Sequence, residues 1–195
     1  MANKCMNFPI GSVGYNLNLM RGIWHDRLEL YELDGTPRHQ DTQGGTPGDS
    51  PYENLVYIDF DGENYQQTNV TFRGRPVHVR SFQAKLVNGI LRFNQLGDGD
   101  SGHVGVSGGV GILIFTPMTI DDSWERYSEP DYISINGNTR TRNTMLYRDG
   151  KLVRTLSAVG HKLSPVADKR MSFDPRGAIG EVHDIQSVTE VFRKQ

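Results

Sequence analysis

The turn dipeptides constrain this chain most. Asn or Asp directly precedes Gly at 34–35, 61–62, 88–89, 136–137 and 149–150, each time beside a short run that alternates apolar and polar residues. Such pairs readily adopt the positive φ angles of tight hairpin turns, and period-2 alternation marks a half-buried strand. Strands are expected on this basis at 23–33, 55–60, 64–72, 77–87, 90–93, 105–115, 132–135, 139–148 and 152–159, with 182–192 as a last strand that closes the sheet. No βαβ spacing, internal repeat or low-complexity run breaks the series. The 22 Gly and 9 Pro residues are scattered between the runs rather than gathered in a linker. So many antiparallel strands lose their exposed edges by closing on themselves. The expected fold is therefore all-β, a single antiparallel β-barrel of about 8–10 strands forming one domain over residues 1–195. A short capping segment is expected at 1–21. Residues 36–51, rich in Gly and Pro, are expected to form a flexible rim loop, either a lid or plain disorder.

The first strand carries the clearest chemical anomaly. Alternation places Trp24, Asp26, Leu28 and Leu30 on one face, and His25, Arg27, Glu29 and Tyr31 on the other. The first set is mostly apolar and should face inward, which takes Asp26 inward with it. A carboxylate on a core face is costly unless it is paired or lines a wet cavity.

Gly22-x-Trp24 stands just after an N-terminal segment and at the head of the first long strand. This placement resembles the opening motif of lipocalins and of the wider calycin group of barrels, including the nitrobindin-like and cyanobacterial lyase-like members. The resemblance implies that Trp24 seals the closed end of the barrel and that an Arg from a late strand packs over it, a part Arg193 would take. Independently of the resemblance, a closed barrel of this many strands leaves an interior large enough for one small ligand.

The totals exclude several classes. With 21 basic against 23 acidic residues, the chain offers no overall charge for nucleic acid or an anionic membrane. The apolar run at 110–115 is far shorter than the ~20 residues needed to span a bilayer, and residues 1–9 lack the apolar core of a signal peptide. The single Cys5 forms no internal disulfide, and no Cys/His spacing matches a metal site. A soluble, cytoplasmic protein is expected, with the oligomeric state open, a homodimer included. Residues 96–103 lack the Glu that completes a calcium loop, and no helix follows the Gly-rich 105–111 to present a phosphate site. That glycine run is expected to belong to one barrel strand.

Three functional readings follow. In the first, the barrel holds a hydrophobic small molecule. Trp24, Tyr57, Phe82, Ile112, Ile114 and Tyr147 would supply apolar surface, and Asp26, Arg80, His103 and Arg142 would anchor polar groups. Arg140, Arg142 and Arg148 alternate on one face, so either all three point outward or the cavity is markedly cationic. In the second, the same cavity runs cofactor-independent acid–base chemistry, an isomerisation, cyclisation or elimination on a polyene, terpenoid or polyketide-like substrate. Asp26, its pKa raised by burial, would act with His78 or His103. No nucleophile elbow or His-Glu-x-x-His motif accompanies them. The third rests on the nitrobindin-like resemblance, which implies a haem whose axial ligand is His161. Lys162 and Asp168 make that neighbourhood more polar than a haem pocket. No other cofactor is called for.

Overall fold

The computed structural model describes residues 7–38, 51–72, 78–93, 102–118 and 126–165. Its elements are a helix α1 (Val13–Met20), then β1 (Gly22–Tyr31), β2 (Tyr52–Phe60), β3 (Asn64–Phe72), β4 (His78–Val87) and β5 (Ile90–Phe93). They continue with β6 (His103–Gly109), β7 (Ile112–Pro117), β8 (Arg126–Ile133), β9 (Thr139–Arg148) and β10 (Lys151–Ser164). Every neighbouring pair is antiparallel, and β1 pairs with both β2 and β10, so the ten strands close into one barrel. The turn chemistry explains the connections: Asn88 and Asp149 take positive φ, each followed by a glycine that does the same.

Three expected elements are corrected. Closure is made by β10 against β1 rather than by residues 182–192, which lie outside the described residues. The run 105–115 is a hairpin rather than a single strand. Gly109 and Gly111 both hold positive φ there, at 124° and 73°, and reverse the chain between β6 and β7. Strand β8 begins at Arg126, six residues ahead of the strand expected at 132–135, and ends at Ile133. A proline has no N–H for the ladder, and the β8–β9 register accordingly passes from Ser128 to Asp131.

The two ends of the barrel differ. At one end α1 lies across the opening, its N-terminus capped by Ser12, whose Oγ accepts from the Tyr15 amide at 3.2 Å. Val13, Leu17 and Met20 pack there against Trp24, Val56, Ile58 and Phe60 in a continuous apolar core. Trp24 is fully buried, and its Nε1 donates to the Met20 carbonyl at 2.7 Å. Asn16, equally buried, ties the helix to the β6–β7 hairpin. Its Nδ2 donates to the carbonyls of Gly109 and Ile112 at 2.7 and 3.0 Å, and its Oδ1 accepts from the Gly111 amide at 2.9 Å. The opposite end is where β1 runs out into residues 36–38; the rest of the expected rim loop, 39–50, lies outside the described residues. Among the described residues no helix is long and apolar enough to cross a membrane.

Candidate functional site

The half of the barrel away from α1 encloses a cavity of about 320 Å³. Its walls are mixed, with Leu28, Leu30, Phe82, Phe93 and Phe115 on the apolar side and Gln67, Asn69, Thr71 and Thr144 among the polar residues. The charged groups are placed at two levels. Arg80 and Arg154 line the outer part from β4 and β10, and Arg80 lies 5.0 Å over the Phe82 ring. Asn54, Glu129 and Arg142 line the part nearer the core.

Below this inner level lies a charged layer built by strand register. Asp26 on β1, Gly160 on β10 and Arg140 on β9 lie abreast across three adjacent strands. Gly160 has no side chain, so Arg140 crosses over it to reach Asp26, with Nε 3.2 Å from Oδ1 and Nη2 2.7 Å from Oδ2. In the next row Leu28, Ala158, Arg142 and Asp131 follow in the same way. Arg142 donates through Nη2 to Asp26 Oδ2 at 2.8 Å and through Nη1 to Glu129 Oε1 at 3.3 Å. Thr144 donates its hydroxyl to Glu129. The Arg140 guanidinium also sits 4.6 Å over the Trp24 ring, so the ion-pair layer rests on the apolar plug. Lys162 approaches the same ring at 4.8 Å and donates to the Leu19 carbonyl at 2.6 Å.

The electrostatics reverse one expectation. Burial by itself raises the Asp26 pKa, but the charges of Arg140 and Arg142 and the hydrogen bond from Arg140 outweigh it, and Asp26 lies below its ordinary value. It is a saturated carboxylate that accepts three guanidinium bonds, rather than a proton acceptor poised near neutrality. The raised carboxyl is Asp131. Burial and then the neighbouring Glu129 charge push it up to about 7, with Asp26 adding to the effect and Arg140 and Arg142 opposing it.

Of the residues singled out in the sequence, Arg80, Phe82 and Arg142 line the cavity together, with Asp26 directly beneath and Trp24 one row further in. His103 is buried one step outside the lining, its ring stacked on Tyr127 at 4.3 Å. Tyr57, Ile112, Ile114 and Tyr147 lie on strand faces opposite to Val56, Leu113, Phe115 and Leu146, and so turn away from the cavity. The β6–β7 hairpin shifts the phase of β7, which is why Leu113 and Phe115 point inward instead of the two isoleucines. His78 opens β4 with its side chain outside the described residues, and Arg193 lies outside them altogether. Among the described residues Arg140 is the late-strand arginine over Trp24. His161 is exposed on the outer face of β10, the side opposite Gly160. It does not face the cavity, so these residues do not fit a haem held there by that ligand. Arg148 is likewise exposed, so the three alternating arginines divide, two inside and one out.

The likenesses to known proteins are of fold. No family model matches the chain, and no curated protein matches its sequence. Solved structures share the barrel, two of them as follows. One is a protein of unknown function from the DUF3598 family of Nostoc punctiforme, with a TM-score of 0.58 and 16% identity, covering 75% of this chain and 49% of that one. The other is an S-type phycobiliprotein lyase from Guillardia theta, with a TM-score of 0.54 and 9% identity, covering 81% of this chain and 93% of that one. The chain thus spans about half the length of the Nostoc protein. The common ground is the antiparallel β-barrel.

Sequence reasoning missed Glu129, Asp131, Asn54, Arg154 and the pairing role of Arg140. A signal for the acids existed, since Tyr127, Glu129, Asp131 and Ile133 alternate on one face. Pro130 between them masked it.

Proposed function

We propose that the barrel binds an elongated, amphipathic small molecule, a hydrophobic skeleton whose carboxylates meet Arg80 and Arg154 while its hydrogen-bond donors reach Glu129 and Asn54. The observation that carries this is the cavity itself, a concave site whose wall combines Leu and Phe side chains with converging polar and charged groups that can orient a ligand. The inner guanidinium favours donors over anions at depth, because both Arg142 Nη atoms already serve Asp26 and Glu129. A volume of about 320 Å³ stands at the small end of such sites, so a long ligand would keep one end at the rim. A bilin has this chemistry, and one of the fold neighbours is a phycobiliprotein lyase. Binding is preferred over acid–base turnover because Asp26 is ion-paired beneath the cavity rather than exposed in it.

Native mass spectrometry of the purified protein, and titration with biliverdin and its dimethyl ester, test the reading. The acid should bind more tightly than the ester, and removing both rim arginines (Arg80→Ala with Arg154→Ala) should erase the difference, roughly tenfold for two exposed charge contacts. Equal affinity of acid and ester for the wild type would exclude the rim contacts, and no binding of either would exclude the bilin class.

A further inference from the structure

Five charged side chains meet at the floor of the cavity and just beneath it: Asp26, Glu129 and Asp131 against Arg140 and Arg142. With every carboxyl ionised the set is one positive charge short, an expensive state for groups withdrawn from water. The hydrogen bonding shows where the imbalance falls. Asp26 and Glu129 both accept from guanidinium groups. Asp131 is 1% exposed and neither of its carboxyl oxygens has a hydrogen-bond partner. Arg140 Nη1 and Arg142 Nε are unpartnered in the same layer, and Arg142 is the β9 register partner of Asp131. Two donors and one carboxyl thus stand together without bonding, although an ionised carboxylate there would attract both.

We propose that Asp131 is the proton-holding site of this cluster, and that its proton leaves when a cavity ligand brings a hydrogen-bond donor or positive charge to Glu129. The second half rests on the binding reading above; the first half does not. The proton passes from the Asp131 carboxyl to solvent. The carboxylate left behind accepts from Arg140 Nη1 and Arg142 Nε, and the ligand's donor offsets the charge of Glu129, so the layer keeps its balance. The groups around Asp131 leave it as the titrating member. On β8 they are Glu129 and Tyr127, on β9 Arg140 and Arg142, on β1 Asp26 and on β3 Tyr65; its β7 partner is the apolar Leu113. Burial raises both tyrosines well above the ordinary phenol value, so they stay neutral through this range. The Asp131 pKa of about 7 agrees with the geometry.

Carboxyl-carbon NMR titration of the ligand-free protein tests the proton site. Asp131 should titrate near neutrality, about three pH units above an ordinary Asp, and Glu129→Gln should move its midpoint down by removing a like charge. A midpoint below pH 5, or one indifferent to Glu129→Gln, overturns the assignment. For the coupling, the probe is N-phenyl-1-naphthylamine, an apolar amine with one N–H that stays uncharged between pH 5 and 9. Its Kd should tighten several-fold from pH 6 to pH 8 in the wild type and stay constant in Asp131→Asn. A pH-independent Kd in the wild type, or the same pH dependence in Asp131→Asn, overturns the coupling. If the probe does not bind, the cavity reading and the coupling fall together, while the NMR midpoint still decides the proton site.

Discussion

Gly160 is the narrowest point of the charged layer, and Gly160→Ala gives the sharpest test of how that layer is built. An alanine Cβ at this position would stand 2.2 Å from Asp26 Oδ1, 3.0 Å from Arg140 Cγ and 3.2 Å from Arg140 Nε. Carbon needs upwards of about 3.3 Å from such an oxygen, so the carboxylate must retreat by about 1 Å. It has nowhere to go without loss, since its three guanidinium bonds already span 2.7 to 3.2 Å, the full ordinary range. Disrupting a buried pair costs about 3–5 kcal/mol. The φ of Gly160 is not in the left-handed region, so alanine carries no backbone strain there. It would return about 0.5–1 kcal/mol through chain entropy. The expected net loss is about 2–4 kcal/mol, or roughly 5–15 °C in Tm for a chain of this size. Calorimetry on Gly160→Ala, Asp26→Ala and the double variant measures it. In the Asp26→Ala background the alanine should be neutral or slightly stabilising, giving a coupling energy of about the same 2–4 kcal/mol. A Tm within about 1 °C of wild type, or an undiminished cost in the double variant, would refute the packing of Asp26 over Gly160.

Trp24→Ala removes the plug beneath Arg140 and should cost about 3–5 kcal/mol in urea denaturation; an unchanged midpoint would remove Trp24 from the core. Asn16→Ala deletes the clamp between α1 and the β6–β7 hairpin and should cost about 2–4 kcal/mol by the same assay, the size expected for several buried bonds lost together. The two carboxyls should leave opposite marks on the pH dependence of stability. The Asp26 pKa is depressed in the folded state, so its contribution is complete above the usual carboxylate range and is lost as pH falls through the folded value. That of Asp131 is raised from 3.8 to about 7, so the folded state binds its proton more tightly and stability falls as pH rises between about 4 and 7. At ~1.4 kcal/mol per unit the second effect is roughly 4 kcal/mol at most. Denaturation curves of Asp131→Asn should lack this downward slope and show equal or greater stability at pH 8.

The strands and turns were legible in the sequence because their causes are local. An Asn-Gly or Asp-Gly pair supplies its own positive φ, and a period-2 alternation sorts a strand into two faces whatever it pairs with. Those two rules sufficed for closure into an antiparallel barrel, for the inward face of β1 with its buried Asp26, and for the face of β4 that carries Arg80 and Phe82. They failed where the phase was broken. Gly109 and Gly111 could equally have been an open strand, and reading them so turned Ile112 and Ile114 inward and left Leu113 and Phe115 out. What no local rule contains is register. Asp26 and Arg140 are 114 positions apart, and only the pairing of β1 with β10 and β10 with β9 sets them on either side of Gly160. The sequence alone therefore determined that Asp26 is buried. Tertiary structure decided that it is an ion-paired carboxylate, and it moved the raised pKa to Asp131, because the sign of a pKa shift depends on which charges the fold brings within reach.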